Sequence, residues 1–316
     1  MKAKTKHTYS LLRDMCAIHA PSGDETAMRD FLLAYIKKHK HTWAHQPKLY
    51  WGEGFQDNLV LIFGKPRTAI FAHIDSIGFT VRYKKQVVKI GGPVLKSGMK
   101  LRGLKDGKFL ETTLEVAIHK DKSIKSIGYT GDTLFETGTA LTYVPNWRED
   151  DNYVQCCYLD NRLGVYNALR VAETLKDGAI VFSTWEEHGG GSVAYLQKFL
   201  AEKYKIRKGL ISDISWISDG VNFGKGPVLT MRDSLIPRQS FVREIAALAK
   251  KNGCAFQYEV EASGGSDAKE LQMAAYPWDW SFIGTPIDHV HSPDEKANKK
   301  DLEGMIALYR LLMKKL

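Results

Sequence analysis

The alternation of apolar and polar residues at the start of the chain predicts two helices. In residues 8–18 the apolar positions recur at helical spacing, and a Pro-Ser-Gly turn then ends that helix. Ser22 and Glu25 stand three positions apart at the start of the next periodic segment, which is the spacing of a capping box. The second helix is therefore predicted to run from this box to about Lys38.

Apolar runs rich in β-branched residues predict the strands of a sheet, and further helices alternate with these strands. Two such runs follow the second helix, at 58–64 and 68–72. After residue 146 we predict helix 161–176, strand 179–185, helix 190–204, strand 209–215, helix 238–251, strand 255–260, helix 267–274, strand 279–283 and helix 299–315. This alternation predicts an α/β protein, a three-layer α/β/α sandwich around a mostly parallel sheet.

The middle of the chain, residues 83–146, has a different pattern. Short alternating runs, such as 86–90 and 114–118, are separated by turns that contain glycine. This pattern predicts a small inserted all-β domain. Residues 1–82 and 147–316 would then form the main domain on either side of the insertion.

Composition and charge exclude several classes of protein. Of the 316 residues, 44% are hydrophobic and 26% are charged, which is an ordinary globular balance. No apolar run is long enough to cross a membrane and the first residues are charged, so we predict a cytoplasmic protein with no membrane partner. The net charge of +9 comes from scattered lysines and arginines, which predicts no nucleic-acid partner. The four cysteines contain no CxxC pair and predict reduced thiols.

Imidazole and carboxylate side chains stand where the predicted strands end or a helix begins. These positions are His73, Asp160, Glu187 with its neighbour Glu186, Asp213 and His291. In an open α/β sheet, ligands bind beyond the carboxyl ends of the strands, so these side chains are expected to meet. Two imidazoles and three carboxylates are a suitable ligand set for two zinc or cobalt ions that share one carboxylate.

Five short motifs contain or flank these positions. They are His73-Ile-Asp75-Ser-Ile-Gly-Phe79, Leu159-Asp-Asn-Arg162, Glu186-Glu187-His188-Gly189, Gly264-Gly-Ser-Asp-Ala268 and Val290-His-Ser-Pro293. In content and order they resemble the motifs of family 42 of the metallopeptidases, the tetrahedral and glutamyl aminopeptidases. The sequence departs from the family pattern at Ser76, where glutamate is usual, and at His188 and Ser266. None of these departures removes an expected ligand.

The resemblance implies a role for each residue of the set. One metal ion would be held by His73, Asp160 and Asp213, and a second by Asp160, Glu187 and His291. Asp160 would bridge the two ions, Glu186 would be the general base, and Asp75 would orient the imidazole of His73. His289 stands two residues before His291 and is interpreted as a supporting or surface residue.

Three functions remain open at this point. The preferred one is a dinuclear-metal aminopeptidase that acts on peptides, with zinc as the expected metal and cobalt or manganese as alternatives. The second is a metal-dependent deacylase that acts on acyl-amino acids or other small amides. A non-enzymatic binding protein is disfavoured because every expected ligand and the base are present. We also expect a homo-oligomer, and the lysine-rich segment 83–146 favours a dimer over the dodecamer common in the family.

Overall fold

The computed structural model describes residues 9–316, so the predicted start of the first helix at residue 8 lies outside the described residues. The helices are α1 (Ser10–Cys16), α2 (Thr26–His39), α3 (Leu159–Ala172), α4 (Ser192–Tyr204), α5 (Gln239–Lys251), α6 (Ala268–Gln272) and α7 (Lys299–Lys315). The strands are β1 (Lys48–Gly52), β2 (Gln56–Phe63), β3 (Thr68–His73), β4 (Gly78–Val81), β5 (Val87–Ile90), β6 (Lys100–Lys105), β7 (Lys108–Ile118), β8 (Ile124–Thr130), β9 (Ala140–Tyr143), β10 (Arg148–Glu149), β11 (Tyr153–Gln155), β12 (Gly178–Ser183), β13 (Lys208–Trp216), β14 (Val228–Arg232), β15 (Gln257–Val260), β16 (Asp279–Asp288) and β17 (Lys296–Asn298). Within the described residues, no helix is both long and apolar enough to cross a membrane.

The larger sheet is parallel at its centre and antiparallel towards its edges. Its order is β1-β2-β12-β3-β13-β16-β17-β11-β10, and β14 and β15 are joined to it through β16. β3 is parallel to β12 and β13, and β13 is parallel to β16, whereas β1, β2 and β17 pair antiparallel with their neighbours. The prediction of a mostly parallel sheet is therefore wrong, and the sheet is mixed. Strands such as β1 and β2 follow one another across a tight turn, which only antiparallel strands can use.

A second sheet of six strands is formed by β4 to β9, in the order β5-β4-β9-β6-β7-β8. All its strand pairs are antiparallel. It begins at Gly78, before the predicted boundary at residue 83. Phe79 and Val81 of β4 are buried, so this strand is an integral part of the second sheet.

Alternate residues of the central strands are buried on opposite faces of the larger sheet. In β3, Ile70 and Ala72 belong to one hydrophobic cluster, and Ala69 and Phe71 belong to another. The first cluster includes residues of α1, α2, α3, α5 and α7, and the second includes residues of α4 and α6. Burial on both faces explains why the sequence of these strands is continuously apolar.

The predicted capping box does not cap α2. The hydroxyl of Ser22 donates to the carboxylate of Asp75 at 2.6 Å. The carboxylate of Glu25 accepts hydrogen bonds from the backbone amides of Gly23 at 2.9 Å and Trp185 at 3.2 Å. The prediction is wrong because both side chains bind residues outside the first turn of the helix. Through these bonds the segment before α2 is joined to the ends of β3 and β12.

A glycine in α3 allows this helix, which carries Asp160, to pack closely on β13, which carries Asp213. A Cβ atom at Gly164 would overlap the backbone carbonyl oxygen of Ser212. We expect Gly164→Ala to lower the free energy of unfolding by about 1–3 kcal/mol or more, because neither backbone can move freely. Gly220→Ala is the control, since a Cβ there meets no atom within 4 Å. Equal thermal unfolding of the two variants would contradict this explanation.

Candidate metal centre

The carboxyl ends of the central strands bring the five predicted ligands together. His73 is the last residue of β3, Glu187 follows β12, Asp213 lies on β13, His291 follows β16, and Asp160 lies in the first turn of α3. His73 is paired with Ser183 of β12, so the residues after both strands emerge at the same edge of the sheet. The five side chains thus occupy the position that strand order predicts for a ligand site.

The two oxygens of Asp160 face two different imidazoles. The Nε2 atom of His73 lies 3.3 Å from Oδ1 of Asp160 and 3.7 Å from Oδ1 of Asp213. The Nε2 atom of His291 lies 3.2 Å from Oδ2 of Asp160 and 3.3 Å from Oε2 of Glu187. These contacts define two groups of three potential ligands, with Asp160 common to both.

The spacing of these atoms fits divalent ions. A tetrahedral ion with bonds of about 2.1 Å places neighbouring ligand atoms about 3.4 Å apart. The contacts of His73 and His291 with their carboxylates, at 3.2–3.7 Å, are close to that spacing. The Oε1 atom of Glu187 is buried without a hydrogen-bond partner in the described part of the chain. The donor set and its geometry are therefore compatible with two metal ions.

Burial makes the negative charge of this cluster costly. Burial, with Asp160 nearby, raises the pKa of Glu187 to about 8, and burial also raises the pKa of Asp213. Burial alone would lower the pKa of His291, but Asp160 and Glu187 outweigh it and raise that pKa to about 10. Carboxylates crowded in this way need positive charge close by, which divalent ions would supply.

Each imidazole is oriented through its second nitrogen. The Nδ1 atom of His73 lies 3.3 Å from Oδ1 of Asp75, and Nδ1 of His291 lies 3.2 Å from the carbonyl oxygen of Gly92. Both rings therefore turn Nε2 towards the other potential ligands. The orienting role of Asp75 stays a prediction, and its position beside Nδ1 of His73 is compatible with that role. Gly92 lies between β5 and β6 and was not predicted, because a backbone carbonyl group gives no signal in the sequence.

Asp75 also holds the turn that carries the two glutamates. Its carboxylate accepts hydrogen bonds from the backbone amides of Glu186 at 3.2 Å and Glu187 at 3.0 Å. Burial alone would raise the pKa of Asp75, but its contact with His73 outweighs burial and lowers that pKa. Asp75 is thus a buried, charged carboxylate that holds the turn through two hydrogen bonds and lies in contact with His73.

Glu295 is a supporting residue that the sequence did not reveal. It is fully buried, and its carboxylate accepts hydrogen bonds from the backbone amides of Asp160 at 3.0 Å and His291 at 2.8 Å. It therefore holds two segments that are remote in sequence at the cluster. Its only signal in the sequence is its position shortly after the Val290-His-Ser-Pro motif.

Glu186 lies beside the cluster and belongs to neither group of potential ligands. Its Oε2 atom is 3.9 Å from Nε2 of His73, and the residue lines a cavity of about 320 Å³ that opens onto the cluster. Burial raises the pKa of Glu186 well above its usual value, and Glu187 adds to this effect while His73 opposes it. A carboxylate with this setting can exchange protons with a molecule in the cavity.

His289 does not join the cluster. Its Nε2 atom lies 3.7 Å from Oδ2 of Asp288, and both side chains are exposed. An extended segment would have pointed His289 and His291 in the same direction, but the φ angles of these residues are 58° and 61°. The backbone is left-handed at both residues, so the segment is not extended there.

The sequence of the chain is similar to the sequences of known peptidases. A sequence model of the family described as M42 glutamyl aminopeptidase matches residues 111–308. A protein of Acetivibrio thermocellus called a putative aminopeptidase is 26% identical over an alignment of 247 residues, and the match covers 74% of this chain and 70% of the relative. The matched region includes four of the five predicted ligands, and His73 lies before it.

Comparison with solved structures establishes the fold. Aminopeptidase APDkam598 from the archaeon Desulfurococcus kamchatkensis has a TM-score of 0.83 at 20% identity, with 97% of this chain and 94% of that chain covered. The TET1 peptidase of Pyrococcus horikoshii, described as assembling into a tetrahedron or a large octahedral shell, has a TM-score of 0.78 at 22% identity, with 97% and 99% covered. The chain therefore has the mixed α/β fold of these aminopeptidases.

Proposed function

Because this chain belongs to the family of M42 glutamyl aminopeptidases, we propose that it removes N-terminal residues from peptides at a centre of two metal ions. The observation that carries the two-metal proposal is the position of Asp160, whose two oxygens face the separate imidazoles of His73 and His291. Peptides are the proposed substrates, and the cavity beside the cluster is the proposed place of binding.

The proposed ligands divide into two sets that share one carboxylate. His73, Asp160 and Asp213 hold one ion, and Asp160, Glu187 and His291 hold the other. Zinc is the proposed metal, since zinc accepts imidazole nitrogen and carboxylate oxygen with open positions for substrate and water, and cobalt or manganese are alternatives. When bound, the ions would polarise the peptide carbonyl group and lower the pKa of a water molecule.

Glu186 is the proposed general base. Its carboxylate lines the cavity and takes the proton from the attacking water, then returns it to the nitrogen of the departing peptide. Its raised pKa suits the second step, because burial favours the protonated carboxyl group that returns the proton. Asp75 keeps His73 and the backbone of Glu186 in place during both steps.

The proposal extends to the organisation of the chain. With the boundary moved from residue 83 to the start of β4, residues 1–77 and 147–316 form the catalytic domain, a three-layer α/β/α sandwich, and residues 78–146 form an inserted β domain. Hydrophobic clusters on both faces of the larger sheet support the sandwich. The separate antiparallel sheet supports the insertion, and the contact of His291 with Gly92 shows where this segment reaches the candidate metal centre.

A homo-oligomer is part of the proposal, but the dimer expected from the sequence is not. The assembly described for the Pyrococcus horikoshii peptidase speaks against that dimer. The lysine content of the insertion was a poor guide because the same sheet region also exposes large apolar side chains. These are Tyr83, Val88, Val94, Leu104, Phe109, Leu110, Ile118, Ile124 and Leu134. Such side chains are suited to contacts between subunits.

Peptides with free and acetylated N-termini test the proposed activity. We expect hydrolysis of the free peptides and at least about 100-fold slower hydrolysis of the acetylated ones, because a free amine can pair with the buried carboxylates and an acetamide cannot. The assay uses the same peptide sequences in both forms, with zinc, cobalt or manganese supplied in turn. Comparable rates on both forms would favour the deacylase instead.

A further inference from the structure

The cavity beside the candidate metal centre contains two carboxylates that take no part in that centre. Asp233 and Glu259 line it, and both are buried, with 5% and 6% of their surface exposed. Within residues 9–316, neither carboxylate lies within 4.0 Å of a lysine, arginine or histidine nitrogen, unlike Glu244 and Asp279, which pair with Lys208 and Arg238. Two buried acids thus face the cavity without a cationic partner.

Neutral groups supply the hydrogen bonds of these two acids. The hydroxyl groups of Ser215 and Thr230 donate to the two oxygens of Glu259, the second at 2.6 Å. The backbone amide of Leu235 donates to Asp233 at 2.6 Å. Burial raises the pKa of both carboxylates, which means that these neutral donors do not offset the cost of holding the charged forms. A cation that entered the cavity would offset this cost.

Arg232 is adjacent in sequence but does not fill this role. Its Nε atom donates to the backbone carbonyl oxygen of Asp233 at 3.3 Å, and its side chain is exposed. It lowers the pKa of Asp233 only as a minor effect beside burial. Its guanidinium group therefore leaves both carboxylates available to a ligand.

Apolar side chains line the same cavity together with these acids. Ile214, Trp216, Phe282 and Val290 contribute this lining, and Ile214 and Phe282 are buried. A Cβ atom at Gly264 would lie 2.9 Å from the ring of Trp216, so glycine is needed for the wall to approach that ring. The cavity thus combines an apolar wall with two acids, which suits a side chain with a long aliphatic stem and a cationic end.

We propose that Asp233, Glu259 and this apolar wall bind the side chain of a basic N-terminal residue, so that lysine or arginine is the preferred residue removed. The inference rests on the proposed aminopeptidase function and adds its substrate class. It differs from the glutamate in the family description, because a glutamate side chain would be repelled by two buried carboxylates.

Neutral analogues of nearly the same shape test this preference in the unmodified, metal-loaded protein. Aminoacyl p-nitroanilides of lysine, norleucine, arginine, citrulline and glutamate are compared by kcat/KM. We expect lysine to exceed norleucine, and arginine to exceed citrulline, by roughly 10- to 100-fold, with glutamate the poorest. Equal or better hydrolysis of norleucine or glutamate overturns the inference and leaves the peptidase function standing. If none of the unblocked substrates is hydrolysed, both the inference and the proposed peptidase function are overturned.

Variants that replace one carboxylate by an amide test which residues determine the preference for basic side chains. Glu259→Gln and Asp233→Asn should each reduce the ratio of lysine to norleucine hydrolysis by about 10-fold, because the lost charge attracts the ammonium group of lysine and norleucine has no such group. Glu244→Gln removes the same charge from an exposed position on α5 outside the cavity and should leave the ratio unchanged. Thermal unfolding and metal content show whether each variant is folded. If a folded Glu259→Gln or Asp233→Asn variant has the same ratio of lysine to norleucine hydrolysis as Glu244→Gln, the inference is contradicted. If both variants unfold, the comparison of substrate analogues on the unmodified protein decides.

Discussion

Asp160→Ala is expected to remove both metal ions and to abolish measurable peptidase activity. The two oxygens of Asp160 lie 3.3 Å from Nε2 of His73 and 3.2 Å from Nε2 of His291, so the substitution takes one ligand from each proposed set. Asp213→Ala takes a ligand from one set only, and should lower the metal content from about two ions per chain to about one. Metal content is measured on purified protein after dialysis against a trace of zinc.

The control for this experiment is Asp219→Ala, which removes an exposed carboxylate outside the cavity. It should retain the metal content and activity of the unmodified protein. An Asp160→Ala variant that is folded and still binds both ions would show that Asp160 does not bridge them. The proposed ligand sets would then be wrong, although the family membership would be unaffected.

Glu186→Gln is expected to retain its metal ions and to lose activity by about 10²- to 10⁴-fold, the usual effect of removing a general base. The amide is similar in size to the carboxylate but cannot accept a proton from water. Glu187→Gln should instead weaken metal binding, because Oε2 of Glu187 lies 3.3 Å from Nε2 of His291 within one ligand set.

These adjacent glutamates are each other's control, since the chemical change is the same and the two positions share one turn. Metal content is measured for both variants at limiting zinc, and kcat is measured under saturating zinc. If Glu187→Gln kept its metal and lost turnover while Glu186→Gln lost metal, the two proposed roles would have to be exchanged.

The residues of the candidate centre could be predicted because their positions follow from strand order. His73, Asp213 and Glu187 stand at or after apolar runs, and the carboxyl ends of neighbouring parallel strands meet. The supporting contacts could not be predicted in the same way. Glu295 acts on backbone amides of remote segments, and Gly92 acts through its carbonyl group, so neither role depends on a local sequence pattern.

Predictions from local sequence patterns are wrong where tertiary contacts compete with local hydrogen bonds. Ser22 and Glu25 have the spacing of a capping box, but Asp75 and the amide of Trp185 take their hydrogen bonds. The last strand of the centre, β16, is predicted from the sequence to end at residue 283. It continues to Asp288 because its pairing with β13 extends as far as Ile287. In both cases a partner distant in sequence determines the local structure.

The contact of Gly92 with His291 connects the six-stranded sheet with the segment that follows β16 of the larger sheet. The backbone amide of Gly91 also donates to Nδ1 of His188 at 3.1 Å, and the amide of Val94 donates to the carbonyl oxygen of His291 at 2.9 Å. A ligand that binds His291 in this orientation therefore stabilises the packing of the six-stranded sheet against the segment that carries His291. That packing in turn favours ligand binding by the same free energy. The two sheets also share one hydrophobic cluster, so this imidazole adds to a coupling that packing already provides, and metal occupancy becomes one determinant of how cooperatively the whole chain unfolds.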